Sequence, residues 1–139
     1  MRLAVLGDPL AFTLSPVLHR AGLAALGIAC ESQARRVSAD GLGAELARLR
    51  AGGWRGVNLT HPLKQAALAH LDEVTDAARA ARSVNTVSFD ADAVRGDTSD
   101  GAGFVDLLRA LDADPVGRRV VLLGAGGAAR SLALALLEA

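Results

Sequence analysis

The sequence predicts an α/β fold: an N-terminal α/β sandwich on a mainly parallel sheet, followed by the start of a further, Rossmann-like strand–turn–helix unit. Three observations carry this. Short apolar runs alternate with helix-period stretches along all 139 residues, as in sheets whose strands are joined by right-handed crossover helices. Arg119–Leu123 is a continuous apolar run of the kind buried on both faces of a parallel sheet. A glycine-rich turn then leads that run into a last helical stretch.

The elements follow in order. Arg2–Leu6 reads as a short apolar strand stopped by Gly7-Asp8-Pro9. Pro16 suits the first turn of a helix capped by Ser15, with an apolar face from Val17 to Leu26 and a stop at Gly27. Glu31–Val37 alternates weakly, as an exposed strand would. Leu42, Leu46 and Leu49 repeat at helical spacing before Gly52-Gly53, and Gly56–Leu59 is a short strand. Helical stretches are expected at 64–71 and 74–81. Val84–Phe89 and Ala93–Arg95 flank Asp90-Ala91-Asp92 as a hairpin. Phe104, Leu107, Leu108 and Leu111 mark a further helix, and Asp112–Gly117 is the expected boundary between units 1–112 and 113–139.

Composition narrows the function. Hydrophobic residues make up 51% and charged residues 22%, a globular balance. Fifteen Lys+Arg offset fifteen Asp+Glu, which argues against a nucleic-acid or anionic-membrane partner. The longest apolar-leaning stretch, Ser131–Ala139, is too short to span a bilayer. The N-terminal apolar run is too short for a signal peptide. One cysteine, Cys30, allows no intrachain disulfide and suits a reducing cytoplasm. His19, His61 and His70 lack ligand spacing, so no metal site is expected.

The cations are fourteen arginines and one lysine, Lys64. Arg stays charged at any working pH, whereas Lys can give up a proton. In a chain that otherwise writes its cations as Arg, a lone Lys is a candidate for acid–base work.

Gly124, Gly126 and Ala129 fit the pattern G-x-G-x-x-G/A, placed after a strand and at the start of a helix. That arrangement suits a dinucleotide diphosphate: tight turn, close backbone approach and unpaired N–H groups at a helix N-terminus. Upstream, polar clusters interrupt the alanine–leucine background: Thr13-Leu14-Ser15-Pro16 with His19, Asn58–Lys64, Ser83–Thr86 and Gly96–Gly101. Each lies near a strand end or before a helix, the edge where open α/β sheets bind ligands. Hydroxyls, amides, one ammonium and one carboxylate suit a small, polyhydroxylated, anionic molecule. Each residue also has a plain structural role open to it. Ser15 or Asp100 would cap a helix, Asn58 would satisfy loop backbone, Asn85 would pin a strand, Lys64 would be a solvated charge, and His19 and His61 would be structural.

On these motifs the chain resembles the N-terminal part of shikimate dehydrogenases. The carrying segments are Gly7-Asp8-Pro9 with Thr13-x-Ser15-Pro16-x-x-His19; Gly56-Val57-Asn58-x-Thr60-x-Pro62-x-Lys64; Val84-Asn85-Thr86; Gly96-Asp97-x-x-Asp100-Gly101-x-Gly103-Phe104; and Gly124–Ala128. The resemblance covers the whole chain. It implies a first domain that binds the shikimate skeleton and a second, Rossmann-type domain that binds NADP, with reversible NADPH-dependent reduction of 3-dehydroshikimate between them, on the route to chorismate and the aromatic amino acids. By the same resemblance, Thr13 and Ser15 stand where hydroxyls hold the substrate carboxylate. Thr60, Asn85 and Asp100 stand where ring hydroxyls are held, and Lys64 and Asp100 at the catalytic pair. Gly124, Ala125, Gly126, Gly127, Ala128 and Ala129 cradle the cofactor diphosphate. Thr13 departs from the family's usual Ser, Thr98-Ser99 from its Asn-Thr, and Arg20 from its Asn.

The family runs well beyond this length, so the 139 residues read as a fragment: the first domain and the opening of the second. NAD or NADP preference lies outside the motifs present. A quinate/shikimate dehydrogenase of looser specificity and a non-catalytic shikimate-binding module are the alternatives. The small-molecule substrate is the expected partner, with a homodimer allowed for. An apolar strand at Arg119–Leu123 needs neighbours that the sequence does not supply. The last twenty or so residues are therefore expected to be disordered, or to pair with another copy or with the first unit.

Overall fold

The computed structural model describes residues 1–10 and 12–139. Six strands form one sheet: β1 (Arg2–Gly7), β2 (Glu31–Arg36), β3 (Gly56–Leu59), β4 (Glu73–Val74), β5 (Thr86–Phe89) and β6 (Val94–Asp97). Their order across the sheet is β2-β1-β3-β5-β6-β4. The pairs β1–β2, β1–β3 and β4–β6 are parallel, and the pairs that β5 makes with β3 and β6 are antiparallel. The mainly parallel sheet is thus as the sequence predicts, and the hairpin expected over 84–95 forms over 86–97. The helices are α1 (Ser15–Ala25), α2 (Leu42–Ala51), α3 (Leu63–Ala66), α4 (Asp76–Ala81), α5 (Asp100–Ala110) and α6 (Gly127–Glu138).

The core lies against the β1–β3–β5 sheet, where Leu6, Val57, Leu59 and Val87 meet Leu42, Leu46 and Leu49 of α2. The spacing of those three leucines puts all of them on one face of α2, and all are buried. Leu42 is fully buried, and Leu42→Ala would cost about 2–5 kcal/mol through lost transfer energy and a cavity. Trp54 is buried just ahead of β3, with the guanidinium of Arg2 4.4 Å from its ring centroid and that of Arg35 5.1 Å away.

Several expectations are corrected. Ser15 does not cap α1: Leu14 occupies the N-cap position without a side-chain bond, and the Ser15 hydroxyl instead accepts from Thr13. The 64–71 helix is a single α turn that continues as a 3₁₀ turn over Ala67–His70. The 74–81 helix starts only at Asp76, because the Thr75 hydroxyl accepts the Ala78 N–H as an N-cap, leaving Glu73–Val74 extended to pair with β6. Arg119–Leu123 forms no strand: among the described residues none pairs with it, and Val121 and Leu123 are 83% and 97% exposed. An isolated extended run has no ladder to bond, so the predicted strand is not formed. The helix after it does form. It rests on α4 and α5, with Thr98 Oγ1 3.0 Å from the buried Ser131 Oγ.

Candidate functional site

The polar clusters converge where β1 and β3 end. β3 runs parallel to β1, and its continuation is tied in: Thr60 N–H donates to the Leu6 carbonyl at 2.9 Å, and Asp8 N–H donates to the His61 carbonyl at 3.0 Å. From there α3 carries Lys64 back over the sheet edge. The Lys64 carbonyl accepts the Val84 N–H at 2.8 Å, which sets the approach to β5. Asn85 N–H donates to Asp97 O, and Asn85 O accepts the Leu59 N–H, so Asn85 is pinned between β3 and β6. β6 then leads into α5, whose first residue is Asp100.

These constraints bring Lys64 and Asp100 together. Lys64 Nζ donates to Asp100 Oδ2 at 2.6 Å, and Asn85 Nδ2 donates to Asp100 Oδ1 at 2.7 Å. The two partners of the ion pair are 17% and 20% exposed, sheltered enough to resist screening but open on one side. Asp100 does not cap α5; both its oxygens are turned to Lys64 and Asn85. Asn85 is itself held: its Oδ1 accepts from the Thr86 hydroxyl at 2.9 Å and the Ser99 N–H at 3.1 Å. Asn58 Nδ2 reaches the Thr86 hydroxyl at 3.1 Å and the Asn85 carbonyl at 3.2 Å. The chain Asn58–Thr86–Asn85–Asp100–Lys64 leaves little rotational freedom in the reacting groups.

Ser15, Thr60, Lys64, Asn85 and Asp100 line one cavity of about 310 Å³, with Asn58, Leu18 and His19 added to its wall. Thr13 is not on that wall; it acts on it through its hydroxyl, which donates to Ser15 Oγ at 3.1 Å. Asn58 and His19 belong to the polar clusters of the sequence, but no site role for either follows from the sequence alone. The signal for both is position: Asn58 lies within β3 two residues before Thr60, and His19 lies one helical turn after Ser15.

A second cavity, of about 520 Å³, joins the glycine-rich turn to the same loop. Gly124, Gly126, Gly127, Ala128 and Ala129 form one side, and Thr60, His61, Lys64 and Gln65 the other. Ala125 is outside the lining; its carbonyl accepts from Arg130 Nε at 3.4 Å. Gly124 holds φ +119°, a conformation that side chains resist, and a Cβ there or at Gly126 would meet nothing within 4 Å. No side chain caps α6, so its first N–H groups face the turn. Thr60 and Lys64 belong to both cavities. A third and larger hollow, about 610 Å³ between α4, α5 and α6, contains neither Lys64 nor Asp100.

Known proteins match this chain. A shikimate dehydrogenase (NADP(+)) of Xanthomonas campestris pv. campestris is 46% identical over 139 residues, covering 99% of this chain and 49% of that protein. The crystal structure of shikimate 5-dehydrogenase from Thermus thermophilus in complex with shikimate superposes with a TM-score of 0.93 at 42% identity, over 99% of this chain and 52% of that one. The same enzyme in complex with NADP(H) and shikimate gives a TM-score of 0.87 at 40% identity, again over 99% and 52%. The chain thus spans about half the length of the curated relatives it matches. The family described as the shikimate dehydrogenase substrate binding domain matches residues 5–87, more than half of the chain and the stretch holding Ser15, Thr60, Lys64 and Asn85, and the chain belongs to that family.

Proposed function

We propose that this chain is the substrate-binding part of an NADP-dependent shikimate dehydrogenase, the enzyme that reversibly reduces 3-dehydroshikimate to shikimate on the route to chorismate and the aromatic amino acids. Residues 1–112 are the substrate unit and 113–139 the opening of the cofactor unit. The observation that carries the reading is Lys64: it is bonded to Asp100 and stands on the wall common to the polar cavity and the glycine-rich turn. A reacting carbon held in the first cavity therefore borders the second.

The residues present fit the diphosphate part of a dinucleotide. The turn is open at Gly124 and Gly126, and the N–H groups of α6 carry no side-chain cap. A dinucleotide bound there would supply the hydride for the ketone carbon. The chain's own residues do the rest. Asp100 accepts hydrogen bonds at both oxygens, so the transferable proton lies on Lys64 Nζ. Lys64 stabilises the oxygen as negative charge develops and gives it that proton; in the oxidation direction it takes the hydroxyl proton back. Asn85 fixes Asp100, and Asp100 fixes Lys64. Thr60 and Asn85 bind ring hydroxyls, and Ser15, supported by Thr13, binds the carboxylate. A reducing cytoplasm suits the free thiol of Cys30, and among the described residues no helix is long and apolar enough to cross a membrane.

Titration of the 139-residue protein with shikimate, followed by NMR, tests the reading. Shifts are expected at Ser15, Thr60, Lys64, Asn85 and Asp100. A folded protein with no response at those residues would overturn it.

A further inference from the structure

We propose that His19 is a carboxylate-recognising residue of the polar cavity, donating its Nε2–H to the acid group of the ligand while Ser32 holds the other ring nitrogen. The inference rests on the reading of that cavity as a shikimate site.

His19 lies four residues after Ser15 on α1, so the two side chains share a helix face. Both line the 310 Å³ cavity. His19 Nδ1 is 2.9 Å from Ser32 Oγ on β2. Ser32 is buried, and its carbonyl accepts from Arg20 Nη1 at 3.1 Å, so the residue that meets the imidazole is anchored through its backbone. Among the described residues Nε2 has no hydrogen-bond partner. A neutral imidazole has one donor and one acceptor nitrogen, and the bond made by one sets the role of the other. In the tautomer in which the Ser32 hydroxyl donates to Nδ1, Nε2 carries the hydrogen and is left for the cavity.

The distribution of charge says what it meets. Lys64 Nζ, held by Asp100 at 2.6 Å, is the group that meets the reacting oxygen in this reading, not the acid group. Beside Ser15, Thr13 offers a neutral hydroxyl, and it is spent on Ser15 Oγ. The side-chain amides of Asn58 and Asn85 on the same wall are spent on Asn85 O, Thr86, Ser99 and Asp100, so an anion accepting at Ser15 finds at His19 an N–H without a protein partner, and a charge-assisted bond from such a donor is the stronger kind. Ligands lacking the negative charge gain nothing comparable.

The test uses the ¹⁵N-labelled 139-residue protein, shikimate and the methyl ester of shikimate. In the unaltered protein, shikimate should move the His19 ring nitrogens and leave Nε2 protonated and Nδ1 bare, while the ester should move them little. His19→Phe should weaken shikimate binding about tenfold and ester binding much less, and the dispersion of its ¹⁵N spectrum shows that the variant is folded. His19→Gln, which keeps an amide donor, should recover most of the loss. Equal weakening of both ligands, or of neither, would overturn the inference and leave the shikimate site standing. Should His19→Phe not fold, the ring tautomer in the unaltered protein and the His19→Gln affinities decide. Binding of neither ligand to the unaltered protein would remove the site reading and this inference together.

Discussion

Gly127, the first residue of α6, stands directly against the stem of Lys64: a Cβ on it would lie 3.1 Å from Lys64 Cβ and 2.8 Å from the Ser83 hydroxyl. Only hydrogen fits at that point without movement. Ser83 is fully buried, and its hydroxyl has no partner among the described residues.

Gly127→Ala is therefore expected to destabilise through overpacking, by about 1–3 kcal/mol, offset by the roughly 1 kcal/mol that Ala gains over Gly in a helix. Ser83→Ala is expected to stabilise by about 1 kcal/mol, because it removes an unpaired buried group. In the double variant the added methyl at position 127 should be tolerated better than the two single changes predict. Urea unfolding of all four proteins measures the coupling; strictly additive values would show that the two residues do not compete for the same space.

Lys64→Ala, in the full-length enzyme that the proposed function calls for, is expected to lower kcat by about 10²–10⁴-fold, the usual worth of a general acid. The shikimate KM should change much less. Lys64→Arg should also be poor, since Arg keeps the charge and cannot transfer the proton. Steady-state shikimate oxidation with NADP checks both. A near-normal kcat for the Arg variant would reduce Lys64 to an electrostatic role.

Val121 and Leu123 are exposed, and among the described residues no strand pairs with them. Replacing either with Thr in the 139-residue protein should change its stability by less than about 0.5 kcal/mol. The same protein should bind shikimate without reducing dehydroshikimate at a useful rate. Robust NADPH-dependent turnover by sequence-verified 139-residue protein would contradict this.

Acid sensitivity should centre partly on α2. Glu45 is held below its ordinary value of 4.5, chiefly by the hydrogen bond from Arg48, against a smaller opposing effect of burial and with further help from the charges of Arg48 and Arg35. A carboxyl whose folded value is depressed contributes stability that is complete above the ordinary value and fades as pH falls below it. Glu45→Gln should therefore flatten the acid limb of the stability–pH profile below about pH 4.5 and leave stability near pH 7 lower. Thermal unfolding across the acid range up to neutrality reads the difference, and parallel profiles would exclude the effect.

The sheet and most helices are legible in the sequence because their patterns are local. The leucines of α2 repeat at helical spacing, and Gly56–Leu59 is a short run of the size and polarity that a central strand needs. The polar clusters are legible as residue types at strand ends. Long-range bonding is not. Thr75 takes over the start of α4 and frees Glu73–Val74 for β6, a choice settled by a hydroxyl and by a strand far along the chain. Ser15 has the look of a cap, yet Thr13 claims its hydroxyl. Arg119–Leu123 has every local property of a buried strand, but strand formation needs a partner, and no periodicity supplies one. Asn58 shows no role in the sequence because its importance lies in which carbonyl and hydroxyl it spans, a matter of register between β3 and β5.

The packing around Trp54 has a practical consequence. The chain has one tryptophan and no tyrosine, so excitation at the red edge of aromatic absorption lights a single buried indole flanked by Arg2 and Arg35. Its emission reports whether β1, β2 and the entry to β3 still enclose it. Trp54 precedes β3 while Thr60 follows it, so the fluorophore sits at the opposite end of that strand from the ligand groups. The protein thus carries a built-in gauge of its own unfolding, one that needs no label and stays clear of the cavity where binding is measured.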